Sequence, residues 1–301
     1  MRNHRLKAYT YLLLVAAIWG IAGPVIKYTL GGIDPLPFLT IRFFISSLVA
    51  VPILVFRKTN IFKKDHFKRV LIFGFLASTV ALGLLFAGLE RTTVLNASFI
   101  TLTGPLIISA AGVVYLKEHV TKKEKIGMSI ALIGSLILII QPILTSGFSS
   151  GQMLGNILIL GYLVANTVSV IYAKRNLREH VSPLDLANIM FIVGFLTLLP
   201  LTIYFYGSET LSYVTNLKSS YVLGILYMAL ISGSFAYYLW IKAQKTIEIG
   251  EAALFGYLQP IFAAPLAVYW LGESFTPVFL LGVVIIITGV VIAEYKPGIK
   301  R

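Results

Sequence analysis

The segment "NASFITLTGP" occupies Asn96–Pro105, and "EAALFGYLQP" occupies Glu251–Pro260. Each has a polar residue, then Ala, then a proline eight residues beyond that Ala, all inside an apolar run. The shift of 155 residues that superposes them also brings Glu118 onto Glu273, Gly127 onto Gly282 and Gly134 onto Gly289. Nearer the start of each half the shift is 147 to 148, which brings Lys27 onto Lys174, Pro35 onto Pro183, Phe43 onto Phe191 and Pro52 onto Pro200. Loops of unequal length account for the drift, so the chain reads as one unit written twice.

The composition says where that unit sits. Of 301 residues, 57% are hydrophobic and 12% charged, with mean hydropathy +0.87. A soluble domain carries about 25% charged residues, so this chain has too few ions to cover a water-facing surface. Val70–Leu89, Thr92–Leu116, Ser219–Ile241 and Ala252–Gly272 contain no ionisable Asp, Glu, Lys or Arg, and Ile126–Ala173 is charge-free on both sides of "TSGFSSGQ". A helix crosses a bilayer in about 20 apolar residues. Ten spans result, near 8–30, 35–56, 70–89, 93–116, 125–142, 153–173, 185–206, 220–242, 249–271 and 276–294. A barrel would alternate in segments of about ten residues instead. The fold class is therefore an all-α integral membrane protein of ten transmembrane helices. The first five-helix repeat covers 1–143, an outer Gly/Ser-rich linker 144–152, and the second repeat 153–297. Arg2, Arg5 and Lys7 before the first span resemble a signal-peptide leader, but the apolar run is too long for one, and we read it as a retained helix.

Charge sets the orientation. With ten spans and the N-terminus cytoplasmic, 21 of the 25 Lys and Arg residues fall on the inner side; Lys27, Arg91 and Lys218 fall outside, and Arg42 lies within a span. This is the positive-inside pattern. It accounts for the net charge of +13 without a nucleic-acid partner. Both termini are expected in the cytoplasm, in a multi-pass protein of the cell membrane. Five spans per copy is odd, so the second copy enters from the opposite side. Two inverted copies suit alternating access, because each half can take the other's conformation at similar energy.

The prolines repeat at mid-membrane depth. A proline offers no N–H, so the carbonyls of Thr101 and Gly256 lose their helical partners and must face protein, water or a ligand. Pro105 and Pro260 are thus candidate kinks or hinges beside a central cavity. The inverted repeat, "WGIAGPVIK" (Trp19–Lys27) in the first span, the Ala-to-Pro pattern in spans four and nine, and the closing "YLKE" (Tyr115–Glu118) and "WLGE" (Trp270–Glu273) resemble the drug/metabolite transporter superfamily, in its EamA-type branch. The resemblance covers about Tyr9 to Tyr295. It implies a ten-helix secondary transporter, often an exporter, with a cavity between the halves. Members of that superfamily carry amino acids, amines, nucleotide-sugar-like solutes, vitamins and drugs, so no substrate follows.

Nothing in the sequence resembles an enzyme's constellation. There is no cysteine, the four histidines have no metal-ligand spacing, and no glycine-rich phosphate loop occurs, so no metal or cofactor is expected. The candidate substrate-binding residues are polar or aromatic groups within spans: Trp19, Asn96, Thr103, Tyr162, Asn166, Tyr238, Tyr257 and Gln259. Each also has a plain structural role open to it, as packing or as an interhelical hydrogen bond. Arg42 either snorkels to the outer surface or pairs with Asp34, or else captures a substrate carboxylate. Glu251, near the inner end of span nine, is the candidate for coupling to protons. Together these features suggest a secondary transporter of small organic metabolites, such as amino acids or related amphipathic solutes. A lipid scramblase or flippase, or a non-transporting scaffold, is the alternative; it would place Asn166 and Gln259 against lipid.

Overall fold

The computed structural model describes residues 2–57, Ile61, 64–92, Ala97, 100–146, 153–207, 217–271 and 277–294. Among them no strand occurs, and the helices fall into ten rods. α1 is Arg2–Thr29 and α2 is Pro35–Phe56. α3 is built from Lys64–Gly74, a π-helical Phe75–Leu82 and Gly83–Arg91. α4 is Gly104–Leu116, α5 Lys122–Ser146, α6 Met153–Arg178 and α7 Pro183–Tyr206. α8 joins Ser219–Leu226, a π-helical Tyr227–Phe235 and Ala236–Gln244. α9 joins Ile249–Leu254, a 3₁₀ turn Phe255–Leu258 and Gln259–Leu271, and α10 is Pro277–Glu294. α2 and α7 open with proline in the first turn, where its missing N–H has no intrahelical role. Several rods outrun their apolar core: α1 starts at Arg2, α3 at Lys64, and α6 continues through Arg178.

The packing obeys the repeat. α2 lies on α7, α4 on α9 and α5 on α10, each rod against its own mate. α1 lies on α8 and α9, while its mate α6 lies on α3 and α4, the mates of those two. Exchanging the copies leaves this contact pattern unchanged, as a pseudo-two-fold relation requires. Repeat mates meet directly between α2 and α7, where the Phe43 and Phe191 rings stand 6.3 Å apart. Close by, the Thr40 and Thr202 hydroxyls share a buried hydrogen bond of 2.6 Å. At the α5–α10 crossing the backbones nearly touch. A Cβ on Gly127 would sit 2.5 Å from the Gly289 carbonyl oxygen, and one on Gly134 would sit 2.8 Å from the Ile286 nitrogen. Small residues allow this approach, and dispersion between the two backbones is the gain. Apolar side chains such as Leu48, Val55, Val164 and Leu196 point outward, as helices solvated by lipid require.

Two paired devices hold the rod ends and middles. Lys27, near the end of α1, donates to the carbonyls of Leu89 at 2.7 Å, Glu90 at 3.3 Å and Thr92 at 3.0 Å, at the end of α3. Its mate Lys174 donates to the carbonyls of Gln244 and Ile247, at the end of α8. Leu89 and Gln244 are themselves mates, as are Thr92 and Ile247, at the 155-residue shift. The last carbonyls of a helix have no intrahelical partner, and here a lysine supplies it. The second device is the π-helical stretch in α3 and in α8. An i-to-i+5 pattern displaces carbonyls from the usual ladder. In α8 side chains from other rods occupy them: Ser46 Oγ donates to the Ala229 carbonyl at 2.9 Å, and Trp19 Nε1 to the Ser232 carbonyl at 3.1 Å.

Candidate functional site

α4 and α9 are both interrupted rather than smoothly kinked. α9 tightens into its 3₁₀ turn just before Pro260, and Gln259 N–H takes up the Gly256 carbonyl that the proline would otherwise strand. Ahead of α4, Leu102 and Thr103 form a turn, with Thr103 N–H donating to the Ile100 carbonyl at 3.2 Å. Both prolines then stand in the first turn of a new helix segment. The broken stretches face one another and bound a cavity of about 250 Å³. That lies just under the roughly 300–1,000 Å³ of pockets for drug-sized ligands.

Repeat mates line this cavity in pairs: Trp19 with Asn166, Ala16 with Leu163, Thr101 with Gly256, Pro105 with Pro260, and Leu85 with Trp240. Trp19 is the hub of an aromatic wall, its ring 5.0 Å from Tyr237 and 5.4 Å from Trp240. Arg42 enters from α2 at 1% exposure. Its Nε and Nη1 have no hydrogen-bond partner. Its guanidinium carbon lies 5.5 Å from the Phe43 ring centre and 5.7 Å from that of Phe86. The Tyr257 hydroxyl, on the same lining, is also buried without a partner. No carboxylate, lysine or histidine belongs to the lining among the described residues.

Of the residues singled out in the sequence, Trp19, Arg42, Tyr162, Asn166, Tyr257, Gln259, Pro105 and Pro260 thus come together on one cavity. Three do not. Thr103 is exposed and donates to the Ile100 carbonyl at 2.8 Å, because the turn ahead of α4 swings it outward. Tyr238 lies off the lining, its ring 5.0 Å from the Lys242 ammonium, while its neighbour Tyr237 takes the cavity wall. Asn96 lies outside the described residues. Arg42 neither snorkels nor reaches an acid; among the described ion pairs it has none. Tyr237, Trp240, Ser232 and Phe86 complete the wall; a π-helical turn upstream rotates the face of the residues that follow by about 100°, which apolar periodicity does not reveal.

The rod ends that hold Arg5, Glu118 and Glu251 carry charge that crosses between the repeats. Glu251, buried at 5% exposure, pairs with Arg5 and accepts from the Tyr9 hydroxyl, away from the cavity lining. Glu118 accepts from Ile249 N–H at 2.9 Å, at the start of α9, and lies 3.9 Å from Lys174 and 3.7 Å from Arg178. Burial pushes the Glu118 carboxyl above its ordinary pKa, against the opposing pull of Lys174. Arg178 also donates to the Leu116 carbonyl at 2.9 Å. Among the described residues no group of His, Asp and Glu side chains could hold a metal ion.

Comparison with known proteins agrees with this architecture. The EamA-like transporter family matches residues 6–140 and again 153–295, one match per repeat. The chain is 27% identical to the uncharacterized transporter YetK of Bacillus subtilis, over 96% of this chain and 87% of that one. It is 30% identical to an uncharacterized transporter of Archaeoglobus fulgidus, over 97% and 87% of the two chains. A Salmonella typhimurium protein named "Probable amino-acid metabolite efflux pump" is 24% identical over 96% and 95%. A solved crystal structure superposes with TM-score 0.78 over 98% of this chain and 97% of that one, at 17% identity, which speaks for the fold. Two inverted five-helix copies around one cavity, each matched separately along nearly its whole length, place the chain in the EamA-like transporter family.

Proposed function

We propose that the chain is a secondary transporter, an exporter or facilitator, of small organic metabolites such as amino acids or related amphipathic solutes. It works by alternating access of the two repeats, 1–143 and 153–297, joined by the outer linker 144–152. The observation that carries this reading is the cavity at the interface of the repeats, bounded by paired broken helices. Broken helices at mid-membrane, lining a shared cavity, are where carriers build their sites. Asn166 and Gln259 face that cavity, which favours a carrier over a scramblase, whose polar groups must meet lipid. The relative named for amino-acid metabolite efflux supports the substrate range. The charge pattern supports a cell-membrane location with both termini cytoplasmic. The protein is not an enzyme on this reading and needs no cofactor.

In the cycle, Trp19, Tyr162, Asn166, Tyr257 and Gln259 hold the solute. Pro105 and Pro260 mark where α4 and α9 bend. The Arg5–Glu251 and Glu118–Lys174 contacts close the inner side and part when the cavity opens inward. Glu251 carries the proton if transport is proton-coupled, because releasing Arg5 frees its carboxylate at the inner mouth. The test is flux of labelled amino acids and amines into proteoliposomes, with and without a pH gradient, for wild type and for Asn166→Leu combined with Gln259→Leu. Saturable flux that the double substitution abolishes is expected. Undiminished flux in the double variant, or none in wild type for any solute, defeats the reading.

A further inference from the structure

We infer that the cavity takes a carboxylate-bearing solute with an aromatic or branched apolar body, and that Arg42 binds its carboxylate. The inference rests on the reading of the cavity as the transport site. A buried cation at membrane depth is costly unless something answers it. Ordinarily a carboxylate does so. Here the lining holds none, and Arg42 Nε and Nη1 are buried without a hydrogen-bond partner. Buried polar groups in a native structure are almost always satisfied, so an orphan pair on a cavity wall points to something absent. The guanidinium forks, Nε with Nη2 and Nη1 with Nη2, match the two oxygens of a carboxylate, and the unpartnered Nε and Nη1 each leave one arm of a fork to be filled.

The packing does not demand the arginine. The equivalent position in the second repeat is Met190, fully buried at 0% exposure in α7. The rest of the wall describes the remainder of the solute. Trp19, Tyr237, Trp240 and Phe86 bring aromatic rings to the lining, and the aliphatic residues come mostly from the first repeat. An amine offers nothing to Arg42 and meets its charge at low dielectric, where repulsion is least screened. An amino group alongside a carboxylate can rest on the π-faces. The carboxylate is therefore required, whereas the amino group is optional. Tyr257, whose hydroxyl is likewise unpartnered, supplies a further hydrogen bond on the same lining.

Four probes of one shape separate the cases: 3-phenylpropionate, phenylalanine, 3-phenylpropanamide and phenethylamine. Binding is read by tryptophan fluorescence of the purified protein in lipid nanodiscs, since Trp19 and Trp240 line the cavity. Flux is read by counterflow in proteoliposomes. The propionate is expected to bind about 10- to 100-fold more tightly than the amide, as charge-assisted hydrogen bonds give, and the amine more weakly still. Phenylalanine binding as tightly as the propionate marks an amino-acid carrier; phenylalanine binding far less tightly marks an organic-acid carrier. Both support the inference. Arg42→Met should abolish the preference, so that propionate and amide bind alike, without lowering the melting temperature. If that variant cannot be purified, Arg42→Lys carries the test, with the preference reduced but not lost. Tighter binding of the amine than of the propionate, an intact preference in Arg42→Met or Arg42→Lys, or no binding of any probe overturns the inference. Carboxylate binding without flux defeats the transport reading alone. Amine flux that Arg42→Met leaves unchanged defeats this inference alone.

Discussion

Lys27 and Lys174 do the same job in the two repeats, yet their removal should cost different amounts. Consider Lys174→Met. The residue is 8% exposed, and its ammonium holds the carbonyls of Gln244 and Ile247 and lies 3.9 Å from Glu118. Methionine keeps the stem and deletes the charge. Each stranded carbonyl costs about 1–3 kcal/mol, and breaking one side of a buried ion pair costs about 3–5 kcal/mol. These overlap rather than add, and Arg178, half exposed at 3.7 Å from Glu118, compensates in part. A loss of about 3–5 kcal/mol follows. Lys27 also holds three carbonyls, but it is less deeply buried, with its Glu90 contact exposed, so water can replace much of what it gives. Lys27→Met should cost about 1 kcal/mol. Taking about 2 °C per kcal/mol for a chain of this size, thermal melting in nanodiscs should fall by about 6–10 °C for Lys174→Met and about 2 °C for Lys27→Met. Adding Glu118→Gln to Lys174→Met should recover part of the loss, because it removes the uncompensated carboxylate. Equal shifts for the two lysines, or no recovery in the double variant, would refute the reasoning.

Other expectations test other parts of the structure. Gly127→Ala places a Cβ 2.5 Å from a backbone oxygen of α10 and should destabilise by about 1–3 kcal/mol, whereas Gly83→Ala, with nothing within 4 Å of its Cβ, should not; equal melting temperatures would deny the α5–α10 contact. Because the Glu118 carboxyl is raised, the folded state holds its proton more tightly than the unfolded state does. Stability from that group is therefore greatest below the ordinary value of 4.5 and declines as pH rises through the raised one; Glu118→Gln should flatten a melting-temperature profile over that range, and an unchanged slope would count against it. A cysteine placed at Ser149 should react with membrane-impermeant reagent in whole cells, and one at Asn60 should not; the reverse labelling would invert the topology.

The rods were legible because lipid imposes a demand that composition alone reveals. A stretch of about 20 residues without charge has few alternatives to a spanning helix. The pairing of rods was legible because duplication repeats prolines, glycines and lysines at a fixed shift. The local departures were not. Phe75–Leu82 contains neither glycine nor proline, so nothing in it announces a π-helix. The one in α8 exchanges Tyr238 for Tyr237 on the cavity wall, because a change of helical register moves the working face without changing the apolar pattern. Thr103 points outward because the chain turns just before α4, and a proline kink expected at Pro105 does not announce a full turn ahead of it. The burial of Arg42 depends on Phe86 from another rod, and the Arg5–Glu251 pair joins residues 246 apart. Such contacts are properties of packing, which a single sequence does not display.

Symmetry and chemistry divide the molecule differently. The mechanical devices come in pairs: Lys27 with Lys174, Pro105 with Pro260, Phe43 with Phe191, and a π-helical stretch in each of α3 and α8. The polar groups of the cavity do not. Arg42 corresponds to Met190, Tyr162 to Val15, Tyr237 to Leu82, Tyr257 to Leu102 and Gln259 to Gly104. This division follows from what each part must do. An inverted pair of bundles exchanges conformations at little cost only when the parts that bend and latch are equivalent in both copies, so those positions remain matched. The cavity lies across the interface and is lined by both copies. On the proposed reading a solute there meets both copies at once, and one guanidinium or one amide suffices for each of its groups. A second copy of Arg42 would add an unanswered buried charge at a cost of a few kcal/mol. Divergence at the wall is therefore permitted where divergence at the hinges is not. On the proposed transport reading, the unmatched polar residues, set against a matched frame, are the ones that recognise the solute.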